Sequence, residues 1–187
     1  MKKDIYKHIS LTLKTLRHQR GWSLDKAAEE TGVSKAMLGQ IERQESSPTI
    51  ATLWKIASGF RTSFSSFIED INNDFKEPIY RTGKTKRLHP KDKKIRVMPL
   101  FSFDKELRIE IYVIELLPGY EHLSPPHKHG VIEHVITIDG HIDVLVDGIW
   151  HPINKGEGIR FKANQPHGYR NTTTSIACFH DIIHYPE

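Results

Sequence analysis

GVSKAMLGQIERQESSPTIATLWKIA, residues 32–57, contains the signals for a turn and for the two helices that follow it. Gly32 suits a left-handed turn, and Ser34 can cap the helix KAMLGQIERQ by accepting a hydrogen bond from a backbone N–H. Pro48 cannot donate a backbone hydrogen bond, so it interrupts helical structure after that helix. Thr49 can cap the next helix, which has one apolar face. That face comprises Leu53, Ile56, Ala57 and Phe60.

The residues before this stretch predict two more helices. Gly21 ends the first, and Ser23 caps the short helix LDKAAEET. The apolar residues of the first helix recur at steps of three and four, and they are Ile5, Ile9, Leu13 and Leu16. Beyond Phe60, the string SFSSFIED predicts a fifth helix. Residues 1–70 therefore predict a helical domain.

Three residues have the spacing of a helix-turn-helix, in which two short helices cross closely at a steep angle. The crossing needs a small residue in the first helix, a glycine in the turn and an apolar residue that faces back from the second helix. Ala28, Gly32 and Leu38 occupy these positions, and Ile41 continues the inner face. A small helical bundle that makes protein contacts is the alternative that this spacing leaves open.

The outward face of the second of these helices predicts contacts with DNA. Gln40 can pair with an adenine edge, Lys35 can reach a guanine or a phosphate, and Ala36 can touch a thymine methyl group. The full outward set is Ser34, Lys35, Ala36, Gly39 and Gln40. The residues predicted to contact backbone phosphates are Arg17, Ser23, Arg43 and Thr49.

The stretch at residues 32–57 resembles the XRE-type, or phage-repressor-like, helix-turn-helix family. The usual pattern of that family is close to G-V-S-x-x-x-L-S-x-I-E-R-G-x-x-S-P-T-x-x-T-L-x-K-I-A. The resemblance covers about residues 8–70 and implies a five-helix domain whose third helix lies in the major groove of DNA. Gln44 stands where the family usually has glycine, and Gly39 replaces a serine that commonly contacts DNA.

Charge is distributed unevenly along the 187 residues, which carry a net charge of +4. Residues 71–96 contain 9 lysines and arginines against 3 acidic residues, whereas residues 97–187 contain 7 against 12. Because the segment 71–96 also lacks apolar periodicity, we interpret it as a basic linker between two domains. It serves either as a solvated spacer or as a weak, sequence-independent attraction for phosphates.

Composition argues against membrane and secreted proteins. The sequence contains no apolar run of about 18 residues, the length that predicts a membrane-spanning helix. The N-terminal string MKKDIYKHIS has no apolar signal region. Cys178 is the only cysteine, so no internal disulfide can form. Together these features predict a cytoplasmic protein without membrane contacts.

After Arg96 the apolar pattern changes to a period of two, which is typical of half-buried β-strands. The string RIEIYVIEL alternates in this way. Asp139–Gly140 and Asp147–Gly148 separate apolar runs, and Asp-Gly supplies the positive φ values that tight hairpins need. Residues 97–187 therefore predict a domain built as an antiparallel sandwich or barrel.

The string PPHKHGVIEHVITIDG concentrates side chains that bind metals. On a strand, alternate residues share a face, so His127, His129 and Glu133 can all point inward. His134 has the opposite parity and points outward. His167 can supply a fourth ligand from a neighbouring strand. Imidazoles with a carboxylate suit iron, manganese, nickel, zinc or copper, so the sequence predicts a site for a divalent transition metal.

This half of the chain resembles the cupin superfamily, whose members fold as small jelly-roll barrels. The first cupin motif joins a glycine, an H-x-H pair, a glutamate and a second glycine, matched here by Gly119, His127, His129, Glu133 and Gly140. His167 and Asn171 match the second motif. Lys162 and Asn164 replace its usual proline and glycine. The resemblance covers about residues 98–184 and implies a barrel with a bound divalent metal.

Other residues of the predicted barrel have simpler interpretations. Arg160 and Tyr169 have the parity of residues that line the interior, where they can meet an anionic ligand. Cys178 lies in an apparent strand and is predicted to be a buried, unreactive thiol. Surface or strand-packing positions are predicted for His122, His141, His151, His180 and His184.

The two resemblances together imply a transcription regulator that responds to a ligand. Its helical domain binds double-stranded operator DNA as a homodimer, and its barrel binds a small-molecule effector, a divalent metal or both. Coupling between two such sites is reciprocal, so DNA binding should also strengthen effector binding. Within the family, the chain is most similar to regulators of sulfur utilisation, as the strings GWSL and GVIEHV illustrate.

A metal-dependent cupin enzyme, either an oxygenase or an isomerase, is the alternative function. Its helical domain would then serve for assembly. Small and polar residues on the outward helix favour the regulator, since a surface that reads a DNA groove needs them. The basic linker favours it as well. No catalytic residue is therefore predicted.

Overall fold

The computed structural model describes residues 2–68 and 94–186. Contacts between residues divide the chain into two compact units, Met1–Ile71 and Asn72–Glu187. The first, the helical unit, and the second, the β unit, each have a buried apolar core. Most of the predicted linker 71–96 lies outside the described residues. In the described part of the chain, no helix is long and apolar enough to cross a lipid bilayer.

The helical unit contains four α-helices and one short 3₁₀ helix within residues 2–68. They are α1 (Lys2–Gln19), α2 (Leu24–Thr31), α3 (Lys35–Glu42), α4 (Ile50–Gly59) and the 3₁₀ helix Ser65–Phe67. Ser23, Ser34 and Thr49 each accept a hydrogen bond from a backbone N–H in the first turn of α2, α3 and α4. These caps satisfy N–H groups that have no partner within the helix, so the three helices begin where the sequence predicts.

The predicted fifth α-helix is wrong for the described residues, where Ser65–Phe67 form a single 3₁₀ turn. Ser66 Oγ donates to the Ser63 carbonyl oxygen at 2.6 Å, and local side-chain bonds of this kind compete with the α-helical ladder. Phe64 and Phe67 are fully buried, so the segment covers the core as a turn. The last two residues of that prediction lie outside the described part of the chain.

α4 approaches α2 so closely that only glycine fits at one position. A Cβ atom added at Gly59 would lie 2.5 Å from the Glu30 carbonyl oxygen and 2.6 Å from Thr31 Cα. Both atoms belong to the backbone of α2, so the packing of these two helices depends on Gly59. The core of the helical unit includes Ile9, Leu13, Leu38, Leu53, Ile56 and Phe60.

α3 ends at Glu42, two residues before the predicted end at Gln44. Gln44 has a φ of +62°, in the left-handed region that favours glycine. This conformation explains why the XRE-type family usually has glycine at the same position. A side chain in the left-handed region costs about 1–2 kcal/mol, which the surrounding contacts must offset.

The β unit contains nine strands in residues 94–186, arranged in two antiparallel sheets. They are β1 (Ile95–Phe101), β2 (Ile109–Leu116), β3 (Tyr120–Ser124), β4 (Ile132–Asp139), β5 (His141–Val146), β6 (Ile149–Asn154), β7 (Gly158–Lys162), β8 (His167–Asn171) and β9 (Ala177–His184). The five-stranded sheet has the order β1-β2-β9-β4-β7, and the four-stranded sheet has the order β3-β8-β5-β6. Within those residues no hydrogen-bonded strand pair joins the sheets, so the β-rich domain is established and the closed barrel is not.

β9 is the central strand of the larger sheet, and its side chains alternate between buried and half-buried, as do those of β2. The period-two prediction for RIEIYVIEL is thus confirmed. Gly140, with a φ of +76°, lies between β4 and β5, and Asp147 and Gly148 form the positive-φ turn between β5 and β6. β1 begins inside the predicted linker, because Ile95 is buried where it pairs with Leu116.

Candidate functional site

The turn between α2 and α3 sets the direction of α3. Gly32 has a φ of +64°, and its N–H donates to the Ala28 carbonyl oxygen at 2.9 Å, which closes α2 with a left-handed cap. Leu38 and Ile41 hold α3 against the core and are at most 1% exposed. The fully buried alanine of α2 is Ala27, whereas Ala28 is half-buried. The predicted helix-turn-helix is therefore present, with the neighbouring alanine in the core.

α3 presents an exposed face that includes most of the residues predicted to read DNA. Ser34, Lys35, Ala36 and Gln40 are all exposed. Lys35 Nζ lies 2.9 Å from Asp25 Oδ2 of α2, and both side chains are largely exposed. An exposed ion pair of this kind contributes about 0–1 kcal/mol, so Lys35 can exchange Asp25 for a base or a phosphate at little cost.

Gly39 does not belong to that exposed face, which corrects the expectation that it points outward. It is buried, and a Cβ atom added there would lie 3.1 Å from Arg43 Nη1 and 3.6 Å from Leu24 Cδ1. The absence of a side chain at Gly39 makes room for the Arg43 guanidinium, which pairs with Glu45 at 2.7 Å. Gly39 therefore contributes space for its neighbours.

Arg17 joins α1 to α3. Its Nε and Nη2 donate to the Glu42 carboxylate at 2.6 and 2.9 Å, and its Nη1 donates to the Trp22 carbonyl oxygen at 2.8 Å. The side chains of Arg17 and Glu42 are only 13% and 8% exposed. The hydrogen bond to Glu42 outweighs burial and raises the pKa of Arg17. The guanidinium is thus held by protein groups, and its predicted contact with a backbone phosphate stays a prediction.

The other residues predicted to contact phosphates lie at helix ends. Ser23 is exposed and accepts from the Lys26 N–H at 3.1 Å, and Thr49 is half-buried and accepts from the Thr52 N–H at 3.1 Å. Arg43 is exposed immediately after α3. Ser23 and Thr49 therefore mark two helix N-termini, where partial positive charge favours a phosphate.

Three of the four predicted metal ligands come together inside the β unit. His127, Glu133 and His167 each offer a ligand atom, and these atoms all lie within 4.8 Å of one another. His127 Nε2 is 3.0 Å and His167 Nε2 is 3.4 Å from Glu133 Oε1. Glu133 lies on β4 of one sheet and His167 begins β8 of the other, so the inner faces of the two sheets meet here.

His129 lies outside this cluster and is exposed. The parity argument that placed it inside assumes a strand, but β4 begins only at Ile132. Pro125 and Pro126 precede the histidines, and proline cannot donate to a strand ladder, so the segment runs as a loop. In that loop His127 is fixed by its N–H, which donates to the carbonyl oxygen of residue 163 at 2.8 Å.

Glu133 lies at the electrostatic centre of the cluster and is 1% exposed. Burial raises its pKa, but the charge of His167 and the contacts of both imidazoles lower it more, so the pKa of Glu133 is below its ordinary value. Burial lowers the pKa of His167, and the charge of Glu133 reverses this to a net rise. Tyr169 donates its hydroxyl to Glu133 Oε2. Glu133 is therefore held as a carboxylate in the protein interior.

The donor set fits a divalent transition metal. Glu133 Oε1 and His167 Nε2 are buried and lack a hydrogen bond of acceptable geometry to the described residues. His167 Nδ1 lies 2.9 Å from the Gln165 carbonyl oxygen, an acceptor that places the proton of the neutral ring on Nδ1 and leaves Nε2 for a metal. Two imidazoles and a carboxylate match the ligand preference of such metals.

Comparison with known proteins agrees with both units. Residues 13–67 match the Helix-turn-helix family, and residues 112–183 match the Cupin domain family. The chain is 48% identical over 183 residues to the HTH-type transcriptional regulator SutR of Escherichia coli (strain K12), covering 98% of both chains. The chain belongs to the HTH-type transcriptional regulators that carry a cupin domain.

Solved structures support the same assignment. The regulator is 45% identical to an HTH_3 family transcriptional regulator from Vibrio cholerae, with a TM-score of 0.86 over 100% of both chains. It is 40% identical to the Cupin_2 domain of an XRE family transcriptional regulator from Enterobacter cloacae, with a TM-score of 0.50 over 50% of this chain and 99% of that one. The predictions of an XRE-type domain, a cupin domain and a regulator rather than an enzyme are confirmed.

One of the two residues predicted to line the cupin interior does so. Tyr169 is 4% exposed and points at Glu133. Arg160 is exposed on β7, where it pairs in register with His134 on the outer side of the sheet. The prediction for Arg160 is therefore wrong, and the interior of this regulator lacks the cation that would recognise an anionic ligand from that strand.

Three further polar residues of the interior were missed by sequence analysis. Glu110, Tyr112 and Asp181 are each at most 2% exposed. They share the inward register of the larger sheet, where Tyr112 pairs with Asp181 and Glu110 pairs with Ile183. The signal is present in the sequence, because these residues have the same parity as the buried apolar residues of β2 and β9.

Proposed function

We propose that this regulator binds double-stranded operator DNA as a homodimer in the cytoplasm. The observation that carries the proposal is the exposure of Lys35, Ala36 and Gln40 on α3 while Leu38 and Ile41 anchor the opposite face. A short helix held in this way can enter the major groove with its polar and small side chains toward the base edges. Homodimers match the two-fold symmetry that such operators usually have.

In this proposal the DNA-facing residues have two roles. Lys35, Ala36 and Gln40 contact base edges, and Ser34 lies beside them at the start of α3. Ser23, Arg43 and Thr49 lie at helix ends and contact backbone phosphates. Arg17 and Gly39 support the surface from beneath, since Arg17 fixes Glu42 of α3 and Gly39 accommodates Arg43.

Binding of the purified regulator to genomic operator fragments over a range of salt concentrations tests this proposal. The logarithm of the affinity should fall linearly with the logarithm of the salt concentration, because phosphate contacts release counterions. Lys35→Ala and Gln40→Ala should each weaken specific binding by about 1–3 kcal/mol. Lys14→Ala, which removes an exposed lysine from α1, is the matched control. Unchanged affinity in both α3 variants would exclude α3 as the reading helix.

We further propose that the two sheets of the cupin domain form a jelly-roll barrel that senses a small-molecule effector, a divalent transition metal or both. Contacts between Glu133 of one sheet and His167 and Tyr169 of the other support a shared interior. When bound, the metal would supply positive charge that neutralises Glu133 and would tie the loop at His127 to β8. Ordering of this loop is one way in which the sensor could change the affinity of the regulator for DNA.

Metal content measured by elemental analysis tests the ligand set. His127→Ala and His167→Ala should each lose the metal, whereas His129→Ala should retain it, because His129 lies outside the cluster. Loss of metal in His129→Ala as well would mean that the loop rearranges and that the four-ligand set predicted from the sequence is correct. A parent protein without metal after growth in metal-supplemented medium would leave the effector as the sole signal.

A further inference from the structure

Asp181 is a carboxyl group enclosed in the middle of the five-stranded sheet. It lies on β9, pairs with Tyr112 of β2 and with Val135 of β4, and is 2% exposed. Its Oδ1 atom is buried and has no hydrogen-bond partner among the described residues. Folded proteins rarely leave such an atom unsatisfied, so a donor that the described residues do not provide is expected to complete its bonding.

Two more carboxyl groups share the same face of the sheet. Glu110 and Glu133 both pair with Ile183, two residues along β9 from Asp181, so each is a diagonal neighbour of Asp181. The Tyr185 hydroxyl donates to Glu110 Oε1, and Glu133 contacts two histidines and Tyr169. Glu110 Oε1 and Glu133 Oε2 thus each accept a hydrogen bond from a tyrosine, and Glu133 Oε1 faces the two imidazoles, whereas no described residue donates to Asp181 Oδ1.

Among the described residues, no ion pair involves this third carboxyl group. Among residues 94–186, no lysine or arginine is buried. Arg108 donates to the Pro186 carbonyl, Arg170 pairs with Asp143 at 2.9 Å, and Arg160 is exposed. A buried carboxylate without a cation must bind a proton or receive positive charge from a ligand.

We propose that the cupin interior binds a small organic cation that carries a protonated amino group, with Asp181 accepting hydrogen bonds from the ammonium. This inference rests on the proposed sensing function and names the chemical class of the effector. An ammonium group offers three N–H donors and a positive charge, which an anionic or a neutral ligand does not. The ammonium subsite adjoins the metal cluster but uses a different anchor.

The residues around the two subsites suit an alkyl chain on the amine. Phe179 is fully buried and its ring centroid lies 5.2 Å from that of Tyr169. The Phe161 ring lies 5.4 Å from His167. These aromatic rings and Val135 provide apolar surface beside the acidic groups, so an alkylammonium gains both burial of its chain and charge pairing.

Calorimetric titration of the full-length regulator with n-butylammonium chloride tests the inference, with n-butanol and sodium butyrate as shape-matched probes. A chelator is present throughout, because a neutral amine can also coordinate a metal. We expect heat of binding and a rise in the melting temperature with butylammonium only. Equal effects from butanol or butyrate, or no effect from butylammonium, would overturn the proposal.

Asp181→Asn and Asp139→Asn provide matched variants. Asp181→Asn should weaken butylammonium binding about ten- to hundredfold, the effect of losing a hydrogen bond to a charged group. Asp139→Asn should bind like the parent, because the Asp139 side chain is 69% exposed. Parent-like binding by Asp181→Asn would reject Asp181 as the anchor. If Asp181→Asn does not fold, the comparison of the three probes on the parent protein still shows whether the cupin interior selects an ammonium group.

Failure of this inference is separable from failure of the proposed function. Operator binding in the salt titration uses no amine, so it remains interpretable whatever butylammonium does. Retained operator binding without butylammonium binding would reject the effector class alone. If the parent protein does not bind operator DNA at all, the proposed function itself is rejected.

Discussion

The two units of this regulator place their charged side chains differently. In the helical unit, Lys35 and Arg43 lie outside in exposed ion pairs, where a phosphate or base can replace the partner. In the β unit, Glu110, Glu133 and Asp181 lie inside, each at most 2% exposed. Exposed charge is available to a large polyanion, whereas enclosed charge selects a ligand small enough to enter. The difference supports the proposal that the exposed charge of the helical unit meets DNA and that the enclosed charge of the β unit meets a small molecule or metal.

The largest expected effect concerns Arg17 and Glu42, an ion pair of the helical unit that is largely buried. Arg17→Ala should destabilise the helical unit by about 3–5 kcal/mol, because it leaves the enclosed Glu42 carboxylate without its partner. Arg43→Ala breaks a pair whose side chains are 59% and 53% exposed, and it should cost less than about 1 kcal/mol. Urea denaturation followed by helical circular dichroism measures both. Equal costs would show that the two pairs are energetically alike.

A smaller effect is expected where α4 meets α2. Gly59→Ala should destabilise the helical unit by about 1–3 kcal/mol, since the new methyl group overlaps the backbone at Glu30 and Thr31. Gly39→Ala is the control, because its methyl group meets the flexible side-chain end of Arg43 at 3.1 Å and Leu24 Cδ1 at an ordinary 3.6 Å, and alanine favours helix by about 1 kcal/mol. Thermal melting should separate the two variants. A Gly59→Ala protein as stable as Gly39→Ala would mean that α4 can shift away from α2.

Enclosed charge in the β unit predicts a dependence of stability on pH. Burial, followed by the charges of Glu133 and Glu110, raises the pKa of Asp181 well above its ordinary value. The folded state therefore binds a proton that the unfolded chain releases above its own pKa of about 4, so this carboxyl destabilises the fold at neutral pH. That destabilisation fades as the pH falls through the unfolded pKa.

Asp181→Asn should therefore be more stable than the parent near about pH 7, and this advantage should disappear near about pH 4. Urea denaturation of the amine-free protein across this range measures the difference. Asp139→Asn, at an exposed position, should show no such trend. An advantage of Asp181→Asn that is independent of pH would mean that the substitution acts through packing and not through charge.

The smallest expected effect lies on the DNA-binding surface. Asp25→Asn should strengthen operator binding by less than about fivefold, because it releases Lys35 from an exposed pair. Glu29→Gln changes the net charge equally on the same helix but leaves Lys35 paired with Asp25, and Lys26 keeps its pair with Glu30 at 2.7 Å. Gel-shift titration at low salt compares the two. If both variants bind more tightly by the same factor, net charge and not the release of Lys35 explains the gain.

Local signals predicted the helical unit well. Ser23, Ser34 and Thr49 fixed the helix starts, since a cap is a contact between residues three apart in sequence. The fifth helix failed because serine side chains near Ser66 bond to their own backbone, which helix propensity does not anticipate. The burial of Gly39 and the Arg17–Glu42 pair depend on how helices pack, and packing is not encoded in the spacing of one helix.

Parity predicted Glu133, Tyr169 and the alternation of β2, because those residues lie on regular strands. It failed for His129, which lies in a loop before β4, where alternation has no meaning. The acidic residues Glu110 and Asp181 were overlooked for another reason. Carboxylates are usually exposed, so the parity that these two share with the buried apolar residues of β2 and β9 was not applied to them.

The Arg17–Glu42 pair and the close packing at Gly59 both join residues within 2–68. These contacts stabilise the helical unit through its own residues alone. During evolution such a module can be attached to new sensors by gene fusion without being redesigned. One helix-turn-helix unit can thereby be joined to sensor domains of different specificity.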